Sequence, residues 1–382
     1  MTNKTRNIFE DVGNVQKQVA TPGGIARAGY GARGAVRIWL ILIFGLVGLM
    51  IIIGGMTRLT DSGLSITEWA PLAGAMPPTS QAAWMSEFDK YRAIPEYQLQ
   101  NKGMSLAEFK TIYWWEWGHR QLGRVIGLVW ALGFVGFLAT RTMPKGWTGR
   151  LLFLGALGGT QGAIGWWMVS SGLQAGMLDV ASYRLATHLG LAFVIFGFIT
   201  WFTLQLSRRD ADLLQARRGG DARLSRLTSW LVALVFVQII IGALVAGIDA
   251  GRNYPDWPLM AGGFFPPDPF GLTPLWRNFF EDDGLVQFMH RMAGYIVFAF
   301  GLYVWAVARR SGNMRTRFAF HMMMLAMLLQ VVLGIATVMY SAPWEIAIVH
   351  QLGAVVLWVV VLRAGFLARY PHPQFIQGAR AT

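Results

Sequence analysis

"YWWEWGHRQLGRVIGL", residues 113–128, sets Glu116, His119 and Arg120 at the mouth of a long apolar run. "VQFMHRMAGY", residues 286–295, sets His290 and Arg291 at the mouth of another. Both read H-R-x-x-G, so one local design occurs twice. Ionisable side chains are costly in hydrocarbon and mark function when they occur in a span. How far the duplication extends decides the fold.

It runs through most of the chain. "GGMTRLTDSG" (54–63) and "GALVAGIDAG" (242–251) share Gly, Asp and Gly, and "WAPLAG" (69–74) pairs with "WPLMAG" (257–262) at the same offset of 188 residues. Further on, "QGAIG" (161–165) pairs with "QVVLG" (330–334), and "THLG" (187–190) with "VHQLG" (349–353). Of the 382 residues 54% are hydrophobic and 14% charged, whereas ordinary soluble domains carry about a quarter charged residues. Apolar runs of the roughly 20 residues that cross a bilayer lie near 36–57, 119–140, 149–170, 184–206, 227–248, 286–307, 317–340 and 346–367. The expected fold is an all-α integral membrane protein of eight transmembrane helices, arranged as two pseudo-two-fold-related four-helix bundles.

The domain limits follow. A tail covers 1–35, an N-terminal bundle 36–208 with a long outer loop 58–115, and a linker 209–226. A C-terminal bundle covers 227–368 with an outer loop 249–285, and a tail covers 369–382. Both outer loops hold Trp, Pro and aromatic residues, which suits a packed cap better than a free linker.

The net charge is +13, and its distribution explains it. Segment 1–37 has six Lys/Arg against two acids, 208–226 has six Arg against three Asp, and 309–317 has four Arg and no acid. The opposite loop 249–285 carries two Arg against six acids. The positive-inside rule places the basic loops and both termini in the cytoplasm. The excess charge sets topology, and no nucleic-acid partner is needed. The 1–34 segment lacks the apolar core of a secretory signal. The chain has no cysteine, which excludes disulfides, thiolate-ligated haem, iron–sulfur clusters and covalent haem attachment.

His119, His188, His290 and His350 open the second, fourth, sixth and eighth spans, at one depth near the outer face. In each half the two come from different helices, so they can face each other as axial ligands of a haem iron. A lone histidine in a span is usually a hydrogen-bonding core residue; four that repeat in pairs read as ligands. Zinc or non-haem iron would need more ligands nearby than each half offers. His321 and His372 lack repeat partners and read as structural or solvated. Arg120 and Arg291 fit either a haem propionate or helix-end snorkelling.

The halves differ three residues before the histidine, where the first has Glu116 and the second has Gln287. Residues at i and i+3 share a helix face, so Glu116 is a candidate proton-handling group beside His119. A helix N-terminal glutamate favoured by the macrodipole is the plainer alternative.

These residues resemble the haem A synthase family over nearly the whole chain. E-x-x-H-R-x-x-G (Glu116 to Gly123) and "GGMTRLTDSGLSITEWAPLAGAMPP" (54–78) carry the resemblance. The absence of cysteine is similar to the proteobacterial and mitochondrial branch, and departs from members with a cysteine pair in the first outer loop. The resemblance implies oxidation of the C8 methyl of haem O to a formyl group, giving haem A for terminal oxidases. It implies that His119 and His188 frame the substrate, that Glu116 is the essential acid, and that His290 and His350 ligate a haem b relaying electrons. It further implies a bacterial inner membrane location with the haem sites on the periplasmic side. Expected partners are haem O synthase, oxidase assembly factors and an electron donor that the sequence does not identify; a homo-oligomer is allowed. Two alternatives stay open: a di-haem b cytochrome that only transfers electrons from quinol, and a transporter, whose polar sites would lie at mid-membrane.

Overall fold

The computed structural model describes residues 24–374. Residues 1–23 and 375–382, most of the predicted N-terminal tail and much of the C-terminal one, lie outside the described residues. Regular structure among the described residues is helical, apart from one isolated bridge between Met260 and Gly263. In hydrocarbon a backbone must satisfy its own hydrogen bonds. That is why β-branched runs such as "MIIIGG" (50–55) are helical here despite their strand preference.

The long helices are α1 (Gly24–Leu59), α4 (Leu106–Ala139), α5 (Thr148–Gly172), α6 (Ser182–Leu206), α8 (Ala222–Gly247), α10 (Asp283–Ala308), α11 (Met314–Met339) and α12 (Trp344–Arg369). Seven of them are long and apolar enough to cross a membrane. The exception is α5, whose 25 residues include seven glycines that dilute its hydropathy. Residues turned outward on these helices, among them Leu132, Val135, Ile296 and Val332, are exposed and apolar. In water such a surface would be a liability; against lipid it is the expected coat.

Two boundaries differ from expectation. Helix α1 begins at Gly24, so residues 24–35 of the predicted tail are helical. Arg33 there donates to the carbonyls of Gln205 (3.1 Å) and Arg208 (2.7 Å) and pairs with Asp210 (2.9 Å). It thereby satisfies carbonyls left open where α6 ends. Helix α4 begins at Leu106, thirteen residues before His119. A reciprocal capping box starts it: Ser105 Oγ accepts from Glu108 N–H (3.3 Å), and Glu108 Oε2 accepts from Ser105 N–H (2.7 Å). The predicted linker also contains a helix, α7 (Asp210–Arg218).

The long outer loop is folded. Its helices α2 (Gln81–Arg92) and α3 (Pro95–Leu99) bury Trp84, Phe88, Tyr91 and Ile94 against Phe109 and Tyr113 of the α4 extension.

Neighbouring helices pack in a repeating pattern. α1 packs on α4 and α6, and α5 on α4 and α6; likewise α8 packs on α10 and α12, and α11 on α10 and α12. Contacts of α6 with α8, α1 with α12, and α6 with α12 join the two sets. At the last of these, Trp358 Nε1 donates to the Phe193 carbonyl at 3.1 Å, and Phe193 meets the Trp358 ring edge-on. The outer ends are tied by Arg58, which pairs with Asp61 (2.9 Å), Asp249 (2.8 Å) and Asp179 (3.5 Å). Asp61 and Asp249, repeat mates, both adopt left-handed backbone with φ of 48° and 54°.

Candidate functional site

Each histidine sits within its helix rather than at the start: His119 on α4, His188 on α6, His290 on α10 and His350 on α12. All four are half-buried. Within each half the two imidazoles are electrostatic neighbours, His119 with His188 and His290 with His350.

Every ring rests on a glycine of the preceding long helix. A Cβ added to Gly54, Gly165, Gly242 or Gly334 would lie 2.8, 2.8, 2.9 or 3.1 Å from Cε1 of His119, His188, His290 or His350 respectively. Contacts below 3.0 Å are not tolerated by real Cβ atoms, so α1, α5 and α8 approach their rings this closely only because the residue is glycine, and the α11 seat at 3.1 Å is tight.

Three of the four rings have a second partner. Gln161, Gln238 and Gln330 lie four residues before their glycines, and each donates through Nε2 to the backbone carbonyl of its histidine at 2.9, 3.0 and 2.9 Å. The same nitrogens approach a ring nitrogen at 3.2, 3.2 and 3.3 Å. The three Oε1 atoms are buried without a partner. The recurring pattern is Q-x-x-x-G, and pairing 161–165 with 330–334 captured two of its copies. "QIIIG" (238–242), which aligns with "MIIIG" (50–54) at the offset already found, was the signal for the third.

Glu116 is buried, with 3% of its surface exposed, and its carboxylate is fully engaged. Oε2 accepts from Ser65 Oγ (2.8 Å) and Ile66 N–H (2.7 Å), and Oε1 from Arg120 Nε (3.1 Å) and Nη2 (2.5 Å). A buried carboxylate needs this much compensation, and the i+4 arginine supplies the charge. Arg120 also donates to the carbonyls of Glu68 (3.0 Å) and Ile66 (2.7 Å). The second half copies the frame without the charge. Gln287 accepts from Arg291 Nη2 (2.6 Å) and donates to the Ala250 carbonyl (2.8 Å), and Arg291 reaches the carbonyls of Leu259 and Tyr254. Both arginines thus clamp the outer loops to the histidine-bearing helices. Ser65 and the loop backbone are partners that sequence reasoning missed, because nothing in "GLSITEW" (63–69) distinguishes them from an ordinary turn.

Three further carboxyls lie in the outer region. Burial pushes Glu96 up to about 8, with the Asp179 and Asp61 charges adding to it. Burial also raises Asp61 and Asp179 against the pull of Arg58. Among the described residues no group of three or more His, Cys, Asp or Glu could hold a bare metal ion. His321 accepts from Trp305 Nε1 at 3.0 Å, a packing role.

The residues fit haem in the second half. Two imidazoles from different helices would provide the donors, glycines give their rings close seats, and the Gln238 and Gln330 amides lie against the rings with Oε1 buried and unpartnered.

A family profile described as cytochrome oxidase assembly protein (COX15-CtaA) matches residues 37–362. A protein of Dinoroseobacter shibae named heme A synthase is 64% identical, the match covering 99% of this chain and 100% of the relative. Relatives of the same name in a Ruegeria species and in Cereibacter sphaeroides are 61% and 56% identical, over 99% and 97% of this chain and 100% and 98% of theirs. From the all-helical scaffold, the paired histidines and these matches, the chain belongs to the haem A synthase family.

Proposed function

We propose that this chain oxidises the C8 methyl of haem O to a formyl group, producing haem A, with the first half binding substrate and the second holding haem b. The observation that carries the division is the exchange of Glu116 for Gln287 inside otherwise matching Arg-clamped frames. Gln287 clamps its loop without a charge, so loop anchoring does not require a carboxylate, and a purely electron-relaying protein leaves this difference between the halves without a role.

His119 and His188 bind and orient the substrate macrocycle, so that its methyl edge is fixed relative to the helices. Two successive hydroxylations, each a two-electron oxidation of the methyl carbon that adds one oxygen atom at the expense of an external oxidant, turn the methyl into a geminal diol, which loses water to give the formyl group. Glu116 holds or moves the proton in these steps at Oε1 or Oε2, and Arg120, Ser65 and Ile66 N–H fix its carboxylate and exclude bulk water. His290 and His350 hold the haem b, which supplies a one-electron couple when bound.

The architecture proposed for this is eight spans in two four-helix bundles, 36–208 and 227–368, with α5 as the eighth span. The closed packing of α1, α4, α5 and α6, repeated by α8, α10, α11 and α12, supports it. In α5 the 25 residues reach about 37 Å, enough for the bilayer core. The proposed location is a bacterial inner membrane with both termini in the cytoplasm and the histidines toward the periplasm, an orientation that the excess of Lys/Arg in one set of loops supports. Haem O synthase and oxidase assembly factors are the proposed partners.

The test is pigment analysis of purified variants. His290→Ala and His350→Ala are expected to lose haem b. Glu116→Ala is expected to keep haem b while failing to accumulate haem A, and normal haem A output in that variant would overturn the catalytic assignment.

A further inference from the structure

The four histidine seats are alike in their glycines and unlike in one respect. Three have a glutamine four residues before the glycine, and the seat of His119 has Met50. The replacement occupies the same place. A Cβ on Gly123, four residues after His119, would meet Met50 Cε at 3.3 Å, and one on Gly294, four residues after His290, would meet Gln238 Nε2 at 3.3 Å. Met50 therefore lies where Gln238 lies in the repeat, against the same turn of the histidine-bearing helix, but it can neither donate to the His119 carbonyl nor accept from its ring.

The difference matters to a metal-binding imidazole. A histidine that binds iron through one ring nitrogen carries hydrogen on the other, and a partner for that N–H fixes the ring and raises its basicity. Gln161, Gln238 and Gln330 are each anchored by donation to the histidine carbonyl and hold their amide against the ring, with Nε2 3.2, 3.2 and 3.3 Å from a ring nitrogen and Oε1 buried without a partner. His290 and His350 are both gripped in this way. In the first half His188 is gripped and His119 is not.

We propose that Met50 makes His119 the releasable ligand, so that the first half exchanges its haem while the doubly gripped second half retains its own. The inference rests on the haem-binding reading above and adds to it a physical basis for turnover. A substrate site must let product leave; a relay site must not. Met50 and the three glutamines are positioning residues, acting through the imidazoles they do or do not hold.

Transfer of haem from the purified, detergent-solubilised holoprotein to excess apomyoglobin tests this, with the transferred haem typed by chromatography. In the wild type, haem O or haem A should transfer faster than haem b. Met50→Gln should slow release from the first half on the order of tenfold, the lower range for a second-shell partner of a metal ligand. Met50→Leu, equally unable to hydrogen-bond, should keep the wild-type rate. Gln238→Met should speed haem b release by a similar factor, and carries the test if Met50→Gln does not fold. Unchanged release in the folded glutamine and methionine variants would overturn the inference, as would slowed or abolished haem binding in Met50→Leu, which would make Met50 a direct ligand. The reading beneath it fails separately, if His290→Ala and His350→Ala leave haem b in place.

Discussion

Glu116 and Gln287 occupy one position in a duplicated frame, and the neighbours tell which atoms each residue must present. Both oxygens of Glu116 face donors, whereas Gln287 offers Nε2 to a carbonyl and Oε1 to Arg291. Glu116→Gln therefore turns an N–H toward Ser65 and Ile66 N–H or toward Arg120, leaving donors unmatched at a cost of about 1–3 kcal/mol. The variant is expected to fold, to keep haem b, and to lower haem A formation on the order of 100-fold or more if the carboxyl moves a proton; extracted haem ratios check it. The histidines and the Glu/Gln difference were legible because they break an apolar background twice in register. The direction of the Glu116 side chain was not. An i, i+3 spacing puts it on the His119 face, but the carboxylate is taken by Arg120 one turn on and by a loop fifty residues away in sequence.

Helices are positioned here by close approach, and the glycine seats give a graded expectation. Alanine at Gly54 or Gly165 would place Cβ at 2.8 Å from a ring carbon, and at Gly334 at 3.1 Å. Gly54→Ala and Gly165→Ala should therefore displace the ring and impair haem retention more than Gly334→Ala, as read from haem content per chain. The cap over α4 has its own titration. Glu96 is buried in the first turn of α3, with Oε2 unpartnered and its pKa raised from 4.5 to about 8. The folded state then binds more protons than the unfolded chain between these values, so its stability contribution is full below about 4.5 and is lost as pH rises through 8. Glu96→Gln should flatten that dependence and make the cap more resistant to proteolysis than wild type at pH 8–9. Sequence gave long apolar runs correctly as helices but set the start of α4 thirteen residues late. Hydropathy sees only the lipid-buried part, while the Ser105/Glu108 box that begins the helix lies in water.

At the scale of the whole molecule, the duplication was legible because glycines and tryptophans align at one offset of 188 residues and the histidine motifs follow in the same order at smaller offsets. How the halves join was not, since Arg58 has no basic counterpart in the repeat, where Ala246 stands. Arg58 holds Asp61 of its own half, Asp249 of the other, and Asp179 from the loop before α6. Its side chain is 12% exposed, and the aspartates are 34 to 43% exposed. Without the guanidinium, three carboxylates would share a partly buried site, offset by Arg252 at 3.6 Å from Asp249. Removing one partner of a buried pair costs about 3–5 kcal/mol, and the solvent access of the aspartates reduces this to roughly 1–3 kcal/mol. Arg58→Ala should lower the unfolding temperature in detergent accordingly. Burial already raises Asp61 and Asp179, and loss of the cation raises them further. Their protonation at lower pH relieves the repulsion, so the deficit between variant and wild type should shrink from pH 7.5 to pH 5. A deficit that stayed constant over that range would mean that Arg58 acts through packing, and that the two halves are not joined by charge.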